Sequence, residues 1–455
     1  MISITAESLL FRNWYNCCRP EAVTSFINNR TMKSKHLTLL SCSALLLSLF
    51  ISCKKDFQKE DAAGAIASSA AMARYNPFGL NAMKSASDEN PDHITNPDLH
   101  YSLSDAASIT LAREYGVQYY RLKISHDAWV INNNRDSFFA DYKSANQQGL
   151  KIVLNVNWDA QEDTPLPFAS PADYTSFLRS VLDSCNAMHY KPAMIVVENE
   201  EGNYTKHQID TSSAAGIAAD CQRYVDILNA ALAVCKNYAW WDGTKGQKLT
   251  NGGYTSRQLT FLVWDWLKNE KNMPDQARTY ANNNMPPAVV KDLYQKPQPP
   301  YIANPIAIGK YYTSSYAAVN ISYTNIHWYE PVKIRNWSNT REHATPWRKG
   351  VSPDTLSNGG LDWVLAYINS KISRRVISNE AGQLTTSSKL NKALTDKFLS
   401  RPFNAFDIAV WFDGDGKGNY DPVALHNTIE DAQGNFYYTL RSNGVQFKAT
   451  NTGLK

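Results

Sequence analysis

The chain has 455 residues, of which 43% are hydrophobic, 12% aromatic and 19% charged. That composition excludes wholesale disorder, and 21 Gly and 20 Pro without a period exclude collagen-like and coiled-coil folds. The formal net charge is +4, and residues 1–52 carry +3 of it through Arg12, Arg19, Arg30, Lys33 and Lys35 against Glu7 and Glu21. The remaining body is nearly neutral, which is not the basic footprint of a nucleic-acid binder and suits a neutral ligand.

Met32-Lys33-Ser34-Lys35 is a short positive segment, and an apolar run follows at 37–51. The run is too short for a comfortable membrane span and reads as the hydrophobic part of a secretory signal. Ser52-Cys53 closes it in a way that resembles a bacterial lipoprotein signal, with Phe50 where Leu is usual. The resemblance implies that Cys53 is the lipidated first residue of the mature chain and that translation starts at Met32. It places the protein in the cell envelope, lipid-anchored at the outer membrane or cell surface, with a periplasmic or secreted protein as the alternative. Residues 53–75 are Ala-, Ser- and Lys-rich and read as a tether reaching roughly 25 Å in root-mean-square terms. Cys185, Cys221 and Cys235 lie in predicted helices without ligand spacing, so buried free thiols are expected.

From residue 76 to 455 short apolar runs alternate with stretches of 3.6-residue periodicity. The predicted strands cover 78–82, 117–124, 151–157, 193–200, 248–252, 320–329, 374–379 and 406–412. Helices are predicted at 104–115, 137–148, 172–188, 214–238, 257–267, 362–371 and 388–399, the third opened by Ser170-Pro171. Near-continuous apolar strands followed by helices imply parallel strands covered on both faces, hence a single (β/α)8 TIM barrel with long βα loops. An insertion at about 268–318, rich in Pro, Tyr and Asn, is expected as a packed loop over the C-terminal mouth.

Barrel chemistry sits at strand C-termini. The fourth strand ends Glu198-Asn199-Glu200-Glu201 and the seventh ends Asn379-Glu380. The second carries Arg121, the third ends at Trp158, the sixth ends His327-Trp328-Tyr329, and the eighth carries Trp411. In that ordered set the chain resembles clan A of the glycoside hydrolases, the retaining (β/α)8 glycosidases. The third strand, ending Asn155-Val156-Asn157, lacks the His usual in family 5 cellulases, so no family within the clan is assigned.

The resemblance implies a hydrolase of β-linked oligo- or polysaccharides that works by double displacement. It makes Glu200 the acid/base, Glu380 the nucleophile and Arg121 and Tyr329 the neighbours of that nucleophile. It adds His327 to the site, gives Asn199 to the sugar 2-hydroxyl, and makes Trp411, Trp158 and Trp328 candidate sugar platforms. Retention needs carboxyls about 5–5.5 Å apart, one protonated and one ionised. Arg121 is expected to favour ionised Glu380, and crowding with a second carboxylate to favour protonated Glu200. Glu198 and Glu201 remain rivals for the acid role, since alternation alone does not exclude Glu198. The 413–424 run is similar to a calcium loop but has Lys417 and Ala424 where carboxyl ligands belong. No cofactor and no metal are therefore expected. The competing reading is a non-catalytic glycan-binding barrel of a surface carbohydrate-uptake system, because a fold does not fix an activity.

Overall fold

The computed structural model describes residues 75–82, 105–158, 166–239, 241, 249–330, 359–400, 406–414, 424–433 and 436–454, all within the compact unit Arg74–Lys455. The expected leader, Cys53, nearly all of the tether and most of the 413–424 run lie outside the described residues.

Strands and helices alternate as β1 (Phe78–Ala82), α1 (Asp105–Tyr115), β2 (Tyr119–Ser125), α2 (His126–Val130), α3 (Asn132–Gln147), β3 (Lys151–Asn157), α4 (Pro171–Ala187) and β4 (Met194–Val197). There follow α5 (Ala214–Cys235), β5 (Leu249–Asn251), α6 (Ser256–Asp265), α7 (Pro274–Asn284), α8 (Pro287–Asp292), α9 (Pro300–Tyr316) and β6 (Tyr323–Glu330). Then come α10 (Leu361–Lys371), β7 (Arg375–Gln383), α11 (Ser388–Leu399) and β8 (Ala409–Asp413). The eight strands are parallel, in the order β5-β4-β3-β2-β1-β8-β7-β6. This is the expected (β/α)8 barrel. Its floor is an apolar plug of Tyr119, Val153, Met194, Val196, Ile377, Ile408 and Val410. A second, larger core fills the layer between strands and helices.

The barrel closes between β5 and β6. Among the described residues, backbone bonds run only through the short stretch after β5, where Tyr254 donates to the Asn325 carbonyl and accepts from His327. Side-chain amides supply the rest. Asn251 Oδ1 accepts the Asn325 N–H at 2.8 Å, and its Nδ2 donates to the Asn325 carbonyl at 3.2 Å. Asn325 Nδ2 donates in turn to the carbonyls of Asn251 and Gly252, each at 3.1 Å. These bonds satisfy backbone groups that a three-residue strand leaves unpaired.

The 268–318 insertion is helical, which corrects the expected loop over the mouth. A π-helical turn at Trp266–Glu270 leads into α7, α8 and α9, and the last packs on α5 and α6 in the outer layer. Pro274, Pro287 and Pro300 are the first residues of these helices. Pro costs nothing at a first helical position, because the N–H it lacks would have no helical partner there. After β8 the chain adds an antiparallel hairpin, β9 (His426–Glu430) with β10 (Phe436–Leu440), and α12 (Ser442–Thr452). His426 Nδ1 and the Leu425 N–H both bond the buried carboxylate of Asp413, so the first residue of the 413–424 run serves an internal joint. Among the described residues no helix is long and apolar enough to cross a membrane.

Trp411 is fully buried and points into the helical layer, so the expectation that it offers a sugar platform is corrected. It stacks on Phe447 with centroids 5.4 Å apart and meets Phe78 and Phe398 edge-on. Inward-facing Val410 sits in the floor, so strand alternation sends Trp411 outward and Phe412 back toward the interior. Trp411→Ala is expected to lower stability by about 3–5 kcal/mol, as a buried aromatic truncation does. Urea unfolding measures it, and a loss under about 1 kcal/mol contradicts the packing role.

Candidate active site

β4 stops at Val197, three residues short of its predicted end, because Glu198 (φ 63°) and Glu200 (φ 54°) are left-handed. Such backbone costs on the order of 1–3 kcal/mol per non-glycine residue and persists only where neighbours impose it. Three groups do so here. Tyr224 OH donates to the Val197 carbonyl at 2.8 Å, Asn155 Nδ2 to the Glu198 carbonyl at 2.8 Å, and His207 Nε2 to the Asn199 carbonyl at 2.9 Å. His207 was not singled out from the sequence. Burial pushes its pKa down to about 3, against the raising effect of its bond to Asn199, so it is neutral and carries its proton on Nε2.

The turn separates four neighbouring residues. Glu198 is buried, and its Oε1 accepts the Trp158 N–H at 3.0 Å. Glu201 is buried behind the strands, where its Oε1 accepts from Asn251 Nδ2 and Tyr316 OH, each at 2.7 Å. Both rivals are buried, at 1% and 0% exposure. The Glu200 side chain remains 17% exposed and meets His327 Nδ1 at 3.2 Å.

On β7 a bulge does the positioning. Asn325 of β6 faces Ile377, and His327 faces Glu380, so two steps on β6 span three on β7. The extra residue breaks alternation. Asn379 and Glu380 therefore both bond to groups inside the barrel. Glu380 Oε2 accepts from Arg121 Nη1 at 2.6 Å, and its Oε1 accepts from Tyr329 OH at 2.7 Å. A carboxylate oxygen of Glu200, one of Glu380 and a His327 ring nitrogen all lie within 4.8 Å of one another. Two acids 180 positions apart in the chain thus share one partly exposed site.

Below them runs a belt of amides. Arg121 Nε and Nη2 both donate to Asn155 Oδ1, and Nη2 also donates to Asn199 Oδ1 at 3.0 Å. Asn379 Nδ2 donates to Asn155 Oδ1 at 3.2 Å. Asn379 Oδ1 accepts from Asn325 Nδ2 at 2.6 Å and from His327 Nε2 at 2.8 Å. Asn155, Asn325 and Asn379 were not singled out from the sequence. The available signal was an Asn on each of several neighbouring strands, a residue type depleted in strands.

The two carboxylates differ electrically. Burial opposes charge on Glu380, but His327 and Arg121 outweigh it, and the Tyr329 hydroxyl adds a bond, so its pKa lies below the usual carboxylate value. Burial disfavours a charged His327, yet Glu380 and Glu200 raise its pKa above the ordinary value. Among the described residues Glu200, His327 and Glu380 are the one group with three metal-type donors. The guanidinium 2.6 Å from Glu380 makes a divalent cation beside it unfavourable.

The predicted aromatic residues separate. Tyr329 is at the site. Trp158 is half-buried on the rim after β3, with one face stacked on His126 at 4.1 Å. Trp328 is fully buried on the outer face, its Nε1 donating to Glu330 at 2.9 Å and its ring against Gly360, which corrects its expected platform role. In a strand the neighbours of inward-facing His327 and Tyr329 must face out. The β8 aromatic residue beside Tyr329 is half-buried Phe412, with centroids 6.3 Å apart.

No family model matches the chain, and no curated protein matches it. Solved structures do. A hyperthermophilic β-glucosidase from Pyrococcus furiosus aligns over 84% of this chain and 96% of its own, at 11% identity and a TM-score of 0.50. A broad-specificity GH5-4 endoglucanase from Clostridium longisporum aligns over 84% and 98%, at 12% identity and a TM-score of 0.45. Fungal β-1,4-galactanases align over 82% and 98%, at 11% identity and a TM-score of 0.43. At such identities the likeness is one of fold.

Glu201 supplies a pH test of the arrangement. Burial raises its pKa above the ordinary carboxylate value, against the lowering effect of its bonds to Tyr316 and Asn251. The folded protein then holds a proton that the unfolded chain releases, so this group's contribution to stability falls as pH rises between the two values. Glu201→Gln keeps an acceptor for Asn251 and Tyr316 and removes the titration. The variant is expected to match the wild type near about pH 4 and to be at least as stable near about pH 8, read by urea midpoints. A variant clearly less stable at the higher pH contradicts a raised Glu201 pKa.

Proposed function

We propose that this protein is a retaining glycoside hydrolase of clan A that cleaves β-linked glycans, with Glu380 as nucleophile and Glu200 as acid/base. The observation that carries the reading is the approach of two carboxylate oxygens to within 4.8 Å on unlike partners. That approach supports retention, which needs its two carboxyl groups about 5–5.5 Å apart. Arg121 and Tyr329 hold both Glu380 oxygens, which favours the ionised form that attacks an anomeric carbon. Glu200 meets His327, a neighbour that can give or take a proton.

In the first half-reaction Glu380 bonds to the anomeric carbon as Glu200 protonates the departing glycosidic oxygen. In the second, Glu200 takes a proton from water, the water oxygen bonds to that carbon, and the bond to Glu380 breaks. Asn199 commits its Oδ1 to Arg121, so its amide nitrogen is the group it offers to the sugar 2-hydroxyl. Phe412, Tyr329 and Trp158 are the aromatic surfaces nearest the mouth, and a sugar's C–H face suits them. The nearly neutral body fits an uncharged oligo- or polysaccharide.

Glu380→Gln is expected to abolish turnover of every aryl β-glycoside tested while leaving the circular-dichroism spectrum unchanged. Glu200→Gln is expected to lose about 10²–10⁴ in kcat on poor leaving groups and far less on activated ones, which need little protonation. Wild-type turnover by the Glu380 variant overturns the nucleophile assignment; equal losses for Glu200→Gln on all leaving groups overturn the acid.

The Met32–Cys53 pattern supports a lipid-anchored envelope enzyme as part of this proposal. Cys53→Ser is expected to move the protein from the membrane to the soluble fraction and to abolish incorporation of an alkyne-tagged fatty acid. Labelling that survives the substitution contradicts Cys53 as the anchor.

A further inference from the structure

We infer that Asn155 and Asn379 are positioning residues that fix the tautomer of His327, so that Nδ1 is the nitrogen that exchanges a proton with Glu200. Arg121 only donates. The atom of Asn155 that meets its Nε and Nη2 must therefore be Oδ1, and the opposite atom, 2.8 Å from the Glu198 carbonyl, must be the donating Nδ2. Asn155 is thus oriented from both ends.

The next amide follows. The Asn379 atom 3.2 Å from Asn155 Oδ1 has to donate, so it is Nδ2, and Oδ1 faces the other way. Asn325 agrees independently. Its Nδ2 donates to the carbonyls of Asn251 and Gly252, and its Oδ1 accepts the Asn379 N–H at 2.9 Å. Its Nδ2 therefore reaches Asn379 as a donor, at 2.6 Å. Asn379 Oδ1 is an acceptor by both routes, and His327 Nε2, 2.8 Å away, must carry a hydrogen. The tautomer of His327 is set by an arginine with which it shares no hydrogen bond.

Nδ1 then has one role. It is 3.2 Å from Glu200 Oε1 and 3.9 Å from Glu380 Oε1. The neutral ring accepts there from protonated Glu200; the charged ring donates there to ionised Glu200. The two forms hold the same number of protons, so Glu200 and His327 share one. The ionisable groups facing His327 are Glu200 from the end of β4, Glu380 from β7 and Arg121 from β2, with Glu201 buried behind the strands. The carboxylates favour the imidazolium, and burial and Arg121 oppose it.

The role in turnover rests on the glycosidase reading; the tautomer does not. As Glu380 bonds to the anomeric carbon and the glycosidic C–O bond breaks, Glu380 gives up the charge that favours the imidazolium. The shared proton passes from Nδ1 through Glu200 to the leaving oxygen. Water then bonds to the anomeric carbon, the bond to Glu380 breaks, and the water's proton returns to the Glu200–His327 pair. Attack and proton delivery are coupled because one charge governs both.

The test is nitrogen-15 NMR of the full chain labelled at histidine, with His327 identified by the signals lost in His327→Gln. The wild type is expected to show Nε2 protonated across the pH range, with Nδ1 alone moving through the titration. Asn379→Asp keeps an acceptor opposite Nε2 and adds a negative charge. It should retain the tautomer and raise the His327 midpoint by about one pH unit or more. Asn379→Ala removes the acceptor and should give a mixture of neutral tautomers. A wild-type ring neutral with its proton on Nδ1 overturns the inference, as do Asp and Ala variants that titrate alike. If neither variant folds, the wild-type spectrum still decides. On p-nitrophenyl β-glucoside, Asn379→Asp should shift the pH profile of kcat with little change in KM; an unshifted profile overturns the coupling. A protein with the expected tautomer that fails to hydrolyse any aryl glycoside leaves the clamp standing and removes the glycosidase reading.

Discussion

A guanidinium inside a barrel is a charge that cannot be neutralised by losing its proton, so the protein must surround it with acceptors. The Arg121 side chain is 5% exposed. It finds Asn155 on β3, Asn199 after β4 and Glu380 on β7. Those bonds do more than compensate for burial. An amide that must present its oxygen to Arg121 has its nitrogen aimed elsewhere. That nitrogen then determines what the next side chain can be. The direction of polarity spreads from β2 round the barrel interior to β7 and β6 in this way. A connected polar network of this kind favours one arrangement, because reversing one of its amides sets like polar atoms against each other.

The same cation separates the two acids. Glu380 is held by a partner whose charge is permanent, and Glu200 by one whose charge depends on the proton count of the site. In the proposed reaction the nucleophile has to stay ionised while it waits for substrate, which a fixed positive charge favours. The proposed acid/base has to change state twice in each turnover, and a titratable neighbour allows that. The chemical distinction between the residues therefore resides in what faces them, since the side chains themselves are identical.

The eight strands were legible because strands covered on both faces are nearly continuous apolar runs, and Val197 and Asn379 mark where such runs give way to carboxylates. Breaks in local geometry were not legible. Nothing in Asn379-Glu380 announces a bulge, and nothing in Glu198-Asn199-Glu200 announces two left-handed residues. Both features arise from tertiary bonds, those of Asn155, His207 and Tyr224 in the second case. The 268–318 segment misled for a different reason. Proline is compatible with a loop and with the first position of a helix, and only the packing of α7 to α9 decides between them. At Trp328 alternation alone was sufficient, since His327 and Tyr329 cannot face inward unless the residue between them faces out. At Trp411 the facing of one neighbour was needed as well, because alternation allows either of Trp411 and Phe412 to point inward until Val410 is known to sit in the floor.

The site lies where regular strand geometry fails, and the reason is geometric. Side chains on one face of a strand recur every second residue, so a regular β7 would present either Asn379 or Glu380 to the interior, but not both. The clamp on His327 needs Asn379; the bond to Arg121 needs Glu380. One inserted residue satisfies both. At β4 a regular continuation would carry Glu198 inward with Glu200 and crowd a third carboxylate against the pair. Turning the chain through two left-handed residues sends Glu198 to the Trp158 N–H and Glu201 to Tyr316, leaving Asn199 and Glu200 in front. The strain of that turn is offset by hydrogen bonds from residues behind the site. Of these, Asn155 also bonds to Arg121. The group that holds the Glu198 carbonyl beside Glu200 is therefore the group that orients the cation on Glu380, so the geometry of the two carboxylates cannot vary independently.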